Sequence, residues 1–154
     1  MSSRNFTHNS NFIFNTNLFS DEDVSYYVQE ANLPGLGFSH IQVGRQSSMM
    51  NFQGDTLIYN DLTLNFIIDE ELKVWKDIIV KMQKMREVYE GTAENIEKSG
   101  YLEIHDDNSK IIIKIEFINL MIESIDDLQF STNTEDEIIT CSINLKYDYY
   151  NITN

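Results

Sequence analysis

Residues Gly54–Val88 read GDTLIYNDLTLNFIIDEELKVWKDIIVKMQKMREV, and two different periods meet inside them. Gly54-Asp55 has the composition of a turn. Beyond it, Leu62, Leu64, Phe66 and Ile68 alternate with Asp61, Thr63 and Asn65. That is the period of a strand with one row of side chains on a core. After Asp69-Glu70-Glu71 the period changes: Leu72, Trp75, Ile79, Met82 and then Met85 or Val88 recur at helical spacing. The three acids stand where the positive end of a helix dipole would hold them. The stretch therefore predicts a strand running straight into one amphipathic helix, at about residues 69–89. Phe66, Leu72 and Trp75 are its expected core anchors. Trp75 has only Lys73 and Lys76 as cationic neighbours, so it reads as a packing residue and not as a stacking platform for a base.

The rest of the chain reads as sheet built around this unit. Residues 1–11 are polar, rich in Ser and Asn, and expected to form a flexible arm. Phe12–Leu18 alternates weakly as a first strand, Val24–Glu30 reads as a second, and Pro34-Gly35, with the only proline of the chain, turns it. Gly37–Val43 predicts a short strand. Gly44–Asp55 (GRQSSMMNFQGD) predicts a long polar loop with an apolar island, Met49, Met50 and Phe52. A loop of that length in a compact domain is usually functional, and an apolar island on it suits contact with another chain, or folds back on its own core. After the helix, a charged connector leads to a strand at Tyr101–Ile104 and a turn at His105–Asn108. Ile111–Ile118 follows, a strand apolar enough in both rows to be covered on both faces. Residues 120–130 carry no clear period. Ile139, Cys141, Ile143, Leu145 and Tyr147 alternate cleanly with Thr140, Ser142, Asn144, Lys146 and Asp148. The expected domain is residues 12–150, followed by a short tail, 151–154. The fold class is mainly β: two packed antiparallel sheets, as a barrel or sandwich, with one flanking helix.

Composition narrows function. The 154 residues hold 11 Lys plus Arg against 25 Asp plus Glu, a net charge of −14. A chain so acidic lacks the cations that grip nucleic-acid phosphates. One cysteine, Cys141, allows no intramolecular disulfide and no cysteine metal cluster, which points to a reducing compartment. No stretch is long and apolar enough to cross a membrane as a helix, and residues 1–12 lack the apolar core of a signal peptide.

Catalytic signatures are missing. His8, His40 and His105 are not spaced as metal ligands. No nucleophile elbow, phosphate-binding loop or dinucleotide fingerprint occurs. Acid clusters at 21–23, 69–71, 126–127 and 135–137 mostly border predicted elements, where acids are ordinary. The chain is read as no enzyme, with no cofactor and no metal.

The order of motifs resembles the tail tube proteins of contractile-tailed bacteriophages, and is similar to tube proteins of type VI secretion and contractile injection systems. The resemblance starts at Asn32-Leu33-Pro34-Gly35, passes through Ile41-Gln42-Val43-Gly44 and Gly54-Asp55, and is most specific at Leu62–Trp75. It ends on Cys141–Tyr150, CSINLKYDYY. The Asn-rich arm and the connector 90–100 depart from the pattern. The resemblance implies hexameric rings stacked into a tube inside a contractile sheath, with strands of six copies lining one lumen for DNA. It makes the protein a structural component of the virion tail, assembled in the host cytoplasm. Its implied partners are itself, sheath protein and baseplate or tube-terminator proteins, with no membrane. DNA would pass the lumen without specific binding. The long loop would touch a neighbouring subunit through Met49, Met50, Phe52, Gly54 and Asp55. Asp61, Asn65, Asn144, Lys146 and Asp148 are the candidates to face the lumen, where acids would repel phosphates. Two alternatives stay open: an initiator or adaptor ring at the baseplate end of the tube, and a small monomeric β binding module.

Overall fold

A computed structural model describes residues 11–18, 28–89, 98–132 and 137–153. Residues 1–10 of the arm expected at 1–11 and much of the connector after the helix lie outside them. Among the described residues ten strands and one helix follow in order: β1 Phe12–Thr16, β2 Val28–Ala31, β3 Leu36–Arg45, β4 Ser48–Tyr59, β5 Leu62–Ile67, α1 Lys73–Tyr89, β6 Ser99–His105, β7 Ile111–Ile118, β8 Met121–Ile125, β9 Thr140–Lys146 and β10 Tyr149–Thr153. Every strand pairing is antiparallel, and the strands form two four-stranded sheets, β1-β6-β7-β10 and β2-β5-β9-β8, with β3-β4 standing apart as a two-stranded ribbon. The described residues form no closed barrel.

The core lies between the two sheets. Phe14, Leu102, Ile115 and Phe117 come from one; Leu62, Leu64, Phe66, Cys141, Ile143 and Leu145 come from the other. The alternation along β5 and β9 is the cause. Leu62, Leu64 and Phe66 are buried and stand opposite Leu145, Ile143 and Cys141, so both inner rows face the same way. Cys141 sits in this core as a thiol, and burial pushes its pKa up.

The helix starts four residues later than its acids. The Asp69 carboxylate accepts from the Lys73 backbone N–H at 2.9 Å and caps the first turn. Leu72, at φ 54°, turns the chain into the helix from a left-handed conformation that a non-glycine residue rarely adopts. The fully buried positions are Val74 and Ile78, with Trp75, Met82 and Met85 packed at the margin. The buried stripe is thus centred one residue before Trp75. Lys81 ties the helix to the end of β1 by donating to the Leu18 carbonyl at 2.7 Å.

Other expectations shift. β7 is buried at Ile115 and Phe117, but Ile111 and Ile112 are exposed, so only its second half is covered and only on one face. The stretch without a period contains β8. The chain's last residues extend the sheet, because β10 pairs with β7 through Thr153.

Candidate assembly surface

The predicted long loop is a β-ribbon. Arg45 and Ser48 are paired, and the two residues between them turn the chain, with Gln46 at φ 44°. A positive φ at that position is what a two-residue hairpin turn requires. Gly54-Asp55, expected as a turn, lies inside β4 instead. Phe38 pairs with Leu57 and His40 with Gln53, so three residues of β4 oppose Ser39 alone and form a bulge. Gly54 fits because a Cβ there would lie 2.8 Å from the Ser39 carbonyl oxygen and strike its side chain. The bulge is therefore a glycine-dependent close approach.

Among the described residues, neither strand of the ribbon pairs with a third. Its large apolar side chains are consequently in water: Met49 is 65% exposed, Phe52 51% and Ile41 60%, with Leu36, Phe38, Val43, Met50, Leu57 and Ile58 exposed as well. Register sorts them. Ile41 faces Phe52 and Val43 faces Met50 on one side of the outer half, while His40–Gln53 and Gln42–Asn51 occupy the other side. Met49, opposite Gly44, is on that second side. Alternation along β3 puts Leu36 and Phe38 of the inner half on the side of His40 and Gln42.

The foot of the ribbon is held to the sandwich from several directions. The Asn60 N–H donates to the Gly35 carbonyl at 3.1 Å, and the Asn32 amide donates to the Asp61 carbonyl at 2.9 Å. Tyr147 donates its hydroxyl to the Asn60 carbonyl at 2.6 Å, and Tyr150 donates to the Pro34 carbonyl at 3.1 Å. The Tyr59 ring stands edge-on to both, 5.9 and 5.3 Å between centroids. Burial, then the neighbouring Tyr150 and Asp61, push the Tyr147 phenol up to about 12.

The outer face of β2-β5-β9-β8 is polar and bonded into three rows that cross the strands. In one, the Asn65 amide donates to Glu30 at 2.8 Å and accepts from the Ser142 hydroxyl. In the next, Thr63 donates to the Asn144 carbonyl oxygen at 3.0 Å and Asn144 donates to Ser124 at 3.1 Å. In the third, Lys146 bridges Asp61 at 2.6 Å and Glu123 at 3.8 Å. The hydrogen bond to Asp61 raises the Lys146 pKa. Four of the predicted lumen candidates, Asp61, Asn65, Asn144 and Lys146, thus share one surface. Asp148 does not: it lies in the turn before β10 and accepts from Asn119 at 3.1 Å. Glu30, Glu123 and Ser124 were missed, because β2 and β8 have no readable alternation.

Trp75, Phe66 and Leu72 do not make one cluster of equals. Phe66 is buried in the sandwich, whereas Leu72 and Trp75 pack on its margin. The Trp75 indole N–H is buried with no acceptor. Among the described residues no group of three His, Cys, Asp or Glu could hold a metal. The His105–Asn108 turn is closed by Asp106, whose carboxylate accepts from the Asn108 and Lys110 backbone N–H groups at 2.9 and 2.8 Å.

The sandwich thus carries an exposed apolar ribbon and a bonded polar sheet face. Residues 3–153 match the family model described as phage tail tube protein, and the chain belongs to that family, a family of structural tail proteins and not of enzymes. It is 31% identical over 106 residues, 64% of its length, to the tail tube terminator protein of Enterobacteria phage T4, and the match covers 59% of that relative. The fold is similar to the sheath/tube terminator of an extracellular contractile injection system (PVC), with a TM-score of 0.69, 13% identity and 100% of both chains covered. It is also similar to the tube-terminating cap of the anti-feeding prophage, with a TM-score of 0.65, 14% identity, and 99% and 94% of the chains covered. This protein is accordingly a structural component related to contractile tail tubes, associated with the virion.

Proposed function

We propose that copies of this protein join through the β3-β4 ribbon into a ring that closes a contractile tail tube, as a tube terminator. The observation that supports the joining is the ribbon itself. A two-stranded hairpin is marginal alone in water, and one exposing nine large apolar side chains calls for a covering surface. The T4 relative, a tail tube terminator by name, turns the reading towards the end of the tube.

In this reading six copies stand side by side. Met49, Met50 and Phe52 are covered by neighbours, with Gly54 and Asp55 shaping the bulge behind them. The β2-β5-β9-β8 face turns to the lumen with Asp61, Asn65, Asn144 and Lys146. DNA passing there meets carboxylates, amides and hydroxyls, because the Lys146 charge is already engaged by Asp61 and Glu123. Sheath, baseplate or other tube proteins are the remaining partners, and assembly takes place in the host cytoplasm.

A second reading, a tube subunit of stacked hexameric rings, is favoured by the family description over residues 3–153. Electron microscopy of preformed tail tubes mixed with the purified protein separates the two. A terminator adds one ring at a tube end and blocks further growth. A tube subunit lengthens the tube. Protein that stays monomeric and leaves the tubes bare removes both readings and favours a monomeric binding module.

A further inference from the structure

We infer that the outer half of the ribbon of one copy seats in a cleft beside the start of α1 on a second copy, an inference that rests on the self-assembly proposed above. The cleft, of about 570 Å³, is lined by Leu72, Trp75, Leu128 and Phe130, with Asp127 and Gln129 beside them. Phe130 is 69% exposed. A second depression shares Leu72 and adds Glu70, Glu71 and Asp77 together with Lys73 and Lys76. The surface therefore has an apolar floor and a rim on which four carboxylates, Glu70, Glu71, Asp77 and Asp127, outnumber two cations, Lys73 and Lys76.

The ribbon carries the complement. Its Ile41–Phe52 and Val43–Met50 pairs form one apolar side, and the Arg45–Ser48 pair, on that same side by alternation, puts a guanidinium at the end. Arg45 is exposed and has no ion-pair partner among the described residues. Charge argues for a second copy as the occupant. Arg45 and Asp55 are the only Arg, Lys, Asp or Glu in the ribbon, so the net −14 resides on the rest of the chain. Two such bodies repel, whereas a neutral ribbon ending in a cation approaches an acid-rimmed apolar cleft without that penalty. Tip and cleft are different surfaces, so the contact is head-to-tail, the kind that closes into a ring or propagates.

The test compares concentration-dependent association of the full-length chain and four variants by sedimentation and light scattering. Arg45→Glu and Phe130→Asp alter exposed side chains, and circular dichroism checks that each still folds. Each raises the concentration for half-assembly by about tenfold or more, and adding Asp127→Lys or Glu71→Lys to Arg45→Glu recovers most of that loss. If wild type assembles and both single variants assemble equally well, the cleft is the wrong receptor while self-assembly stands. A loss in Arg45→Glu that neither lysine recovers also overturns the pairing of tip with cleft. Wild type that stays monomeric at every concentration overturns self-docking together with the reading it rests on.

Discussion

β5 and β4 are neighbours in the chain, separated by Asn60 and Asp61, and they live in opposite environments. β5 alternates buried and half-buried residues, with Leu62, Leu64 and Phe66 closed off from water. β4 is twice as long, carries Met49, Met50, Phe52, Leu57 and Ile58, and is exposed along almost all of it. The difference is what each strand pairs with. β5 lies between β2 and β9 and over a second sheet, whereas β4 pairs, among the described residues, with β3 alone. Apolar content alone does not place a strand in a core. A covering layer does, and among the described residues no layer covers the ribbon.

Substitutions sharpen this contrast, beginning in the sandwich. Phe117→Ala, at a position with no exposure, is expected to cost about 3–5 kcal/mol in urea unfolding. A loss near zero would mean the sandwich is not the stabilising unit. Trp75→Ala removes a ring that packs on the core margin and leaves no acceptor unpaired, so its cost is expected at about 2 kcal/mol, below the range of fully buried rings. Tyr147→Phe keeps the ring and deletes the hydroxyl bond to Asn60 at the ribbon's foot. About 1 kcal/mol is expected, with hydrogen exchange accelerated in β3 and β4 and not in β5.

The same tyrosine gives a pH dependence. Its folded pKa is raised from 10 to about 12, so the folded state holds the phenolic proton more tightly than the unfolded chain does. The contribution is complete below pH 10 and is lost as pH rises to about 12. Exchange in the ribbon measured across that window should accelerate in wild type and be flatter in Tyr147→Phe. The smallest effect on folding is expected where the effect on assembly is largest. Met49, Met50 and Phe52 together changed to Ser should shift stability by less than about 0.5 kcal/mol per site and abolish assembly. A variant that still forms rings would show that these three side chains cover nothing.

The sandwich was legible because one-sided burial writes itself as alternation. β5, β7 and β9 each show it, and the change of period at Asp69–Glu71 locates the helix to within four residues. The ribbon was illegible for the converse reason. With no buried face, β4 has no simple alternation, its turn at Gln46-Ser47 lacks the glycine or asparagine that advertises a hairpin, and its one glycine marks a bulge. Half of the polar face was readable from the outer rows of β5 and β9. Glu30, Glu123 and Ser124 joined it only through pairing across β2 and β8, where bulges break the period.

By itself, then, the order of residues determined the sheet-rich class, the helix that follows β5 with its acidic start, and the inner rows of β5 and β9. These are local or summed properties, and local periods record them. Tertiary structure alone decided that Met49–Phe52 lies on a strand of a free ribbon, that Val74 and Ile78 outrank Trp75, and that Asp148 leaves the polar face while Ser124 and Glu123 enter it. Each of those outcomes depends on which strand lies beside which, and pairing between residues distant in sequence leaves no period in either partner.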